Sequence, residues 1–252
     1  MTRGWQSSVR AAACAVAASC GSGDPHDVTV LAAASLSEAF TEIAAAYETA
    51  HPGAEVALEL AASSTLVAQV RAGAPFDLLA TADERTMAEA WRGELVERPT
   101  ALATNRMVVI AGDDDSAGVR TVEDLARPGT RVVLAQRDVP AGAYARRALA
   151  GLGIEATVEA NVVSNALDVK AVAAAVALGE ADAGIVYASD VTPALAARVR
   201  VLPIPARAAV RALYPVAAAT DPEHPVGAHA FLALVRSRTG REILAAHGFG
   251  VP

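Results

Sequence analysis

The chain has 252 residues, a formal net charge of −7, 53% hydrophobic residues and only 4% aromatic ones. This length allows one large domain or two smaller lobes with their own cores. Nucleic-acid binding requires a basic face, so we expect no nucleic-acid partner for an acidic chain. The apolar residues are mostly Ala, Val and Leu, which suits helices packed on a buried parallel sheet.

Residues 1–26 are typical of an export segment. Arg3 and Arg10 precede the short run AAACAVAASC, which ends at Cys20, and the residues GSGD follow. This order resembles a bacterial secretory signal with a lipoprotein box, in which Cys20 carries the lipid. We therefore expect an exported protein, in the periplasm or lipid-anchored at the outer face of the cytoplasmic membrane. No cysteine follows Cys20, which excludes disulfides and thiolate metal sites from the rest of the chain.

Strand and helix patterns alternate from residue 28 to the C-terminus. The alternation implies an α/β fold with mostly parallel sheets, flanked by helices and joined by right-handed crossovers. Strands are predicted at residues 28–34, 55–61, 76–83, 106–112, 131–136, 157–163, 183–190 and 213–220. Helices are predicted at residues 36–50, 64–73, 121–126, 139–153, 168–180, 225–238 and 240–247.

Two extended segments are the expected crossings between two lobes. They are TNRMVVIA at residues 104–111 and LYPVAAA at residues 213–219. With the chain crossing there, residues 27–103 and 217–252 form lobe 1, and residues 104–216 form lobe 2. Residues 1–26 precede both lobes as the signal segment and linker.

Four segments run from small or polar residues directly into a predicted helix. A helix N-terminus has free N–H donors and a partial positive charge. In open α/β sheets, ligands lie outside the carboxyl ends of the strands, where such segments occur. Ordinary helix capping would produce the same pattern, so it predicts a polar or anionic ligand without excluding plain caps. The segments are AAASLSEAF, AASSTLVAQV, VPAGAYARRAL and SNALDVKAV.

Other candidate sites are few. Tyr187 ends a predicted strand beside small residues, so its hydroxyl either reaches into a cleft or belongs to a core aromatic. The five histidines show no pairing at i,i+4 that would suit a metal ion. The chain has no GxSxG, P-loop or GxGxxG motif, and nothing pairs a nucleophile with a base. We therefore predict neither an enzyme nor a bound cofactor or metal cation.

Four motifs together resemble a known transport family. VLAAASL (30–36), ASSTLVAQVRAGAPFDLLATAD (62–83), VPAGAYARRAL (139–149) and GEADAGIVYASD (179–190) occur in order and with compatible spacing. They are similar to the periplasmic molybdate-binding protein of the bacterial molybdate ABC transporter. The resemblance covers about residues 27–250. It implies a two-lobed, periplasmic-binding-protein-like fold whose lobes are joined by two hinge crossings.

The resemblance also implies which residues bind the ligand. In that family, uncharged hydrogen-bond donors from both lobes hold a tetrahedral oxyanion. By position, Ser35 and Ser63 would each supply a hydroxyl and a backbone N–H, and Tyr187 its hydroxyl. Ala141 and Val169 would each supply a backbone N–H.

The two adjacent serines in ASSTL, Ser63 and Ser64, are expected to have different roles. The family often has a third serine before this pair, where this chain has Ala62. The donor position aligns with Ser63, so Ser63 is expected to face the cleft. Ser64 is then expected to cap the helix or support the turn.

The resemblance predicts a monomeric binding protein that captures molybdate, and tungstate, for an ABC permease and its ATPase. Another tetrahedral oxyanion, such as sulfate, is the alternative ligand. A two-lobed transferase is a second alternative, although the cofactor-attaching cysteine of one such family, hydroxymethylbilane synthase, has no counterpart after Cys20. A regulator's sensing domain is a third, but residues 27–252 leave no room for a fused DNA-binding module.

Overall fold

A computed structural model describes residue 1, residues 24–114 and residues 117–251. The export segment and the predicted lipid attachment at Cys20 lie outside these residues. Within the described ranges, no helix combines the length and the apolar content needed to cross a membrane.

The first half of the sheet, called half-sheet 1, contains three parallel strands. β1 lies between β2 and β3 and pairs with both. β1 is buried almost throughout because its Val, Leu and Ala side chains have helices on both faces. The strands are β1 (Val28–Ala33), β2 (Val56–Ala61) and β3 (Leu78–Ala80). The helices are α1 (Ser37–Ala50), α2 (Ser63–Arg71), α3 (Glu84–Arg92), α8 (Pro225–Arg236) and α9 (Arg238–Ala246).

The second half, half-sheet 2, is built in the same way. β5 pairs in parallel with β6 and β7. Its strands are β5 (Val132–Ala135), β6 (Val162–Ala166), β7 (Ala183–Tyr187) and the flanking β8 (Val199–Pro203). Its helices are α4 (Pro140–Gly151), α5 (Glu155–Glu159), α6 (Val169–Ala177) and α7 (Pro193–Ala196). Short 3₁₀ helices lie at Ala34–Leu36, Val122–Ala126, Ala188–Asp190 and Ala206–Ala208.

Two long strands join the half-sheets. β4 (Thr100–Gly112) and β9 (Arg211–Ala218) pair antiparallel, from Thr100 opposite Val216 to Arg106 opposite Arg211. β9 continues onto β3 and β4 continues onto β7, both antiparallel, so the strand order is β2-β1-β3-β9-β4-β7-β5-β6. The α/β class is therefore confirmed, with one curled, mixed sheet. The lobe boundaries given above stay a prediction.

Several local predictions differ from the structure, and two of them are instructive. Residues 157–163 were expected to be one strand, but residues up to Glu159 belong to α5 and β6 begins only at Val162. Val158, fully buried, packs into the core from the helix, and its apolar character alone did not distinguish a helix from a strand. Helix α3 was not predicted, although Asp83 caps it by accepting from the Thr86 N–H.

Candidate functional site

A small cavity lies at the carboxyl ends of two sets of three parallel strands. β1, β2 and β3 lead into it from half-sheet 1, and β5, β6 and β7 lead into it from half-sheet 2. The cavity has a free volume of about 10 Å³. This is about the room that one water molecule requires. Its lining residues are Ala33, Ala34, Ser35, Ala62, Ser63, Ala82, Val139, Pro140, Ala141, Asp168, Val169 and Tyr187.

Three of the four helices that begin at the cavity have an apolar N-cap residue. Ala33 precedes the 3₁₀ helix, Ala62 precedes α2 and Val139 precedes α4, and none of the three helices has a side-chain cap. Alanine and valine cannot accept a hydrogen bond, so the first N–H groups of these helices lack the usual side-chain acceptor. Only α6 is capped, by Asp168, whose carboxylate accepts from the Ala171 N–H at 2.8 Å. The cavity is therefore rich in donors.

All five residues implied by the resemblance line this cavity. Ser63 and Val169 are the first residues of α2 and α6, Ser35 and Ala141 are the second residues of their helices, and Tyr187 ends β7. Each is at most 3% exposed. The structure thus brings together residues from both half-sheets that are far apart in sequence. Their role in binding stays a prediction.

The hydroxyl of Tyr187 is buried and has no hydrogen-bond partner among the described residues. Its ring lies between two other tyrosine rings, 6.3 Å from that of Tyr144 and 5.6 Å from that of Tyr214. Burial, aided by neighbouring Asp190, raises the pKa of Tyr187 well above its usual value, so the hydroxyl keeps its proton. An unpaired buried hydroxyl is costly. A ligand oxygen in the cavity would remove that cost.

The two serines have different partners behind the cavity. Ser63 Oγ accepts a hydrogen bond from the backbone N–H of Ala82 at 3.0 Å. Ser35 Oγ lies 2.9 Å from the hydroxyl oxygen of Tyr214. Ser64, the second residue of α2, does not cap the helix, because its N-cap is Ala62. Of the two roles expected for Ser64, capping was therefore wrong, since the helix starts one residue earlier than its sequence suggested, and support of the turn stays a prediction.

A charged cluster beside the cavity connects the half-sheets. Lys170, which follows Val169 on α6, donates to both carboxylate oxygens of Glu38 on α1 at 2.8 Å. Its Nζ also lies 3.3 Å from a carboxylate oxygen of the buried Asp190. Burial raises the pKa of Asp190 to about 6 against the opposing effect of Lys170. Burial also acts to raise the pKa of Glu38, but its hydrogen bonds to Lys170 and Ser37 leave that pKa lowered.

The family model described as bacterial extracellular solute-binding protein matches residues 28–250. The match spans every residue that lines the cavity. The chain belongs to this family. It is accordingly an exported protein of a class that binds solutes, and solute-binding proteins are not enzymes.

Individual relatives agree with the family assignment. The molybdate-binding protein ModA of Mycobacterium tuberculosis (strain ATCC 25618 / H37Rv) is 37% identical over 245 residues, with 92% of each chain covered. The periplasmic molybdate-binding protein of Azotobacter vinelandii has a TM-score of 0.79 at 19% identity, covering 90% of this chain and 100% of that one. The sulfate-binding protein SubI from Mycobacterium tuberculosis H37Rv has a TM-score of 0.78 at 18% identity, covering 88% and 86%. At these identities, the two structures show the fold alone.

Sequence reasoning missed several residues around the cavity of this solute-binding protein. Asn105 and Tyr214 lie on β4 and β9 and contact each other, and Tyr214 also contacts the site serine Ser35. A signal was available, since both are polar residues within segments predicted as crossings. Ala82 contributes only a backbone N–H, and no side-chain pattern could have indicated it.

Proposed function

We propose that the protein captures molybdate, and also tungstate, outside the cytoplasmic membrane and delivers it to an ABC permease and its ATPase. The observation that carries this proposal is the buried cavity in which uncapped helix starts converge with the unpartnered hydroxyl of Tyr187. The name of the relative from Mycobacterium tuberculosis supports molybdate as the ligand. The chain acts by binding and release, without catalysis.

Neutral donors suit a buried dianion. An ion that leaves water must have its oxygens hydrogen-bonded, or the loss of solvation prevents binding. Hydrogen bonds from neutral donors to a charged acceptor are stronger than those between neutral groups. The helix starts add backbone dipoles of the favourable sign. Asp168, the one carboxylate in the lining, accepts from the Ala171 N–H through one of its two oxygens.

A site that turns its donors toward the ligand also selects by protonation. When Ser35, Ser63, Tyr187 and two backbone N–H groups all point their hydrogens at the ligand, a P–OH or As–OH proton meets donors at these positions. Molybdate, tungstate and sulfate carry no proton near neutral pH, so they avoid this penalty. Among these three, the size of the cavity with the ligand bound has to decide.

Ligand capture is proposed to close two lobes. Residues 27–103 and 217–252 form one lobe, and residues 104–216 form the other, with β4 and β9 as the hinge. Donors come from both lobes, so the anion binds the closed arrangement better than an open one and shifts the population toward it.

Calorimetry on the exported chain, without residues 1–19, tests the ligand. Molybdate and tungstate are expected to bind at one site, and phosphate is not. Sulfate is the second candidate, because it is also an unprotonated tetrahedral dianion to which the same groups can donate. Binding of sulfate but of neither molybdate nor tungstate would transfer the assignment to sulfate, and no binding of any of these anions would overturn the proposal.

A matched pair of serine variants tests the site. Ser63→Ala removes a donor to a charged acceptor, worth about 1.5–3 kcal/mol, so the Kd for molybdate should rise about 10- to 150-fold. Ser64→Ala changes the adjacent residue, which does not line the cavity, and should bind like the wild type. Equal affinities of the two variants would refute the role of Ser63.

The lipid anchor is a separate proposal from the sequence. Cys20 is expected to carry the lipid and to become the first residue of the mature chain. Mass spectrometry of the membrane fraction tests this. An unmodified N-terminus in a soluble fraction would refute the anchor and would leave the ligand proposal unaffected.

A further inference from the structure

A chain of hydrogen bonds runs behind the cavity from β4 to Ser35. Ser35 Oγ and the hydroxyl oxygen of Tyr214, 2.9 Å apart, belong to residues that are 3% and 0% exposed. Tyr214 lies on β9, and Asn105 lies on the adjacent strand β4. The Asn105 amide nitrogen is 3.4 Å from the Tyr214 hydroxyl and 2.7 Å from Ser189 Oγ. The network thus connects a cavity serine to both long strands.

The orientation of the Asn105 side-chain amide shows which atom donates to Tyr214 in this hydrogen-bond network. Its side-chain oxygen accepts from the Arg106 N–H at 2.9 Å, so its amide nitrogen faces Tyr214 and Ser189. An amide nitrogen can only donate. The Tyr214 oxygen therefore accepts from Asn105, and its own hydroxyl hydrogen is available for Ser35. When Tyr214 donates that hydrogen, Ser35 Oγ accepts it and the hydrogen of Ser35 points into the cavity.

Ser63 also keeps its hydroxyl hydrogen available to the cavity, but through a different partner. Its Oγ accepts from the backbone N–H of Ala82 at 3.0 Å, so its hydrogen also remains for the cavity. A backbone N–H cannot be reversed by any side-chain substitution. The direction at Ser35, in contrast, depends on the side chains of Tyr214 and Asn105. Ser35 is therefore the site serine whose hydrogen-bond direction can be changed by substituting a neighbouring side chain.

We propose that Tyr214 is a positioning residue that holds the Ser35 hydroxyl as a donor and thereby excludes protonated oxyanions. This inference rests on the proposed function of the cavity. Hydrogen phosphate must donate its own proton, and a Ser35 hydroxyl that accepts from Tyr214 turns its hydrogen, not a lone pair, toward that proton. Leaving that proton unpaired in a buried site carries the full desolvation cost. Without the Tyr214 hydroxyl, Ser35 can turn and accept.

The test compares sulfate and phosphate as competitors of bound molybdate in wild type and Tyr214→Phe. Both competitors are tetrahedral, and phosphate carries the additional proton. Tyr214→Phe should weaken molybdate binding about 3- to 10-fold, through the loss of one neutral hydrogen bond. The ratio of the two inhibition constants should shift about 10-fold or more toward phosphate. Tyr47→Phe is the control, since it also removes a buried hydroxyl, one that donates to the His26 carbonyl, and should leave the ratio unchanged.

A second set of variants separates positioning from general damage to the fold. Tyr214 is proposed to act through Ser35, so adding Tyr214→Phe to a Ser35→Ala protein should not move the ratio further. Asn105→Ala keeps the tyrosine but removes its donor, and should shift the ratio in the same direction. If Tyr214→Phe lacks a cooperative unfolding transition and is therefore not properly folded, Asn105→Ala provides the test of positioning instead.

Two results would overturn the inference. One is equal weakening of sulfate and phosphate by Tyr214→Phe, and the other is the same shift of the ratio in the Ser35→Ala background. Either result, in a protein that binds molybdate, would leave the proposed function standing. If the wild type binds none of the oxyanions, the proposed function itself is refuted.

Discussion

Replacing Asp190 by Asn should change how the stability of the protein depends on pH. Asp190 is 2% exposed and ends the 3₁₀ helix that follows β7. One of its oxygens accepts from the Tyr187 N–H at 3.0 Å, and the other lies 3.3 Å from Lys170 Nζ. Lys170 is shared with Glu38, so its charge only partly offsets the burial of Asp190. Asparagine keeps the shape and an acceptor for the Tyr187 N–H but cannot ionise.

The magnitude follows from the pKa of Asp190, which burial raises from 3.8 to about 6. A shift of about two units corresponds to about 3 kcal/mol. The folded state binds the proton more tightly than the unfolded state, so this stabilisation is complete below the unfolded pKa of 3.8. It is lost as the pH rises through about 6. The wild type should therefore lose about 3 kcal/mol relative to Asp190→Asn, of which about 2 kcal/mol falls between about pH 4.5 and about pH 7.5.

Urea unfolding of both proteins, at several pH values and constant ionic strength, measures this difference. Subtracting one stability curve from the other removes the contributions of the other titrating groups, apart from small changes at Lys170 and Glu38. The free energy of unfolding of the wild type minus that of the variant should fall steadily from about pH 4.5 to about pH 7.5. A constant difference would refute the raised pKa. A difference that grows with pH would show that the charge of Lys170 outweighs burial.

Two further predictions concern the elements around the cavity. Gly142→Ala should cost about 1–3 kcal/mol and weaken molybdate binding, because a Cβ there would overlap the Gln136 carbonyl oxygen. Gly151→Ala, near the other end of α4, brings the nearest heavy atom to 3.3 Å and should cost less in urea unfolding; equal losses would contradict the overlap. A double-mutant cycle with Glu38→Gln and Lys170→Gln should give a coupling of about 0.5–1 kcal/mol, which falls with added salt because both side chains are partly exposed. No measurable coupling at low salt would argue against the ion pair.

Much of the fold was predictable from local patterns. β1, β5 and β7 are short continuous apolar runs, typical of strands buried on both faces, and Phe40, Ile43 and Tyr47 recur with the period of a helix. One prediction failed for a local reason. Val158 was assigned to a strand because one buried apolar residue has no period of its own. The antiparallel pairing of β4 with β9, which makes the sheet mixed, joins segments too distant for any local pattern to reveal.

The sequence by itself determined which groups are available to an anion. Small or hydroxyl residues at four helix starts and a tyrosine at a strand end supply uncharged donors, and this inventory follows from residue type alone. The tertiary structure decided which donors meet and which neighbours each hydroxyl contacts. Ser35 receives its partner Tyr214 from 179 residues away, and Ser63 receives the Ala82 N–H from 19 residues away. A hydroxyl can donate or accept, so its direction depends on the neighbours that the fold brings to it.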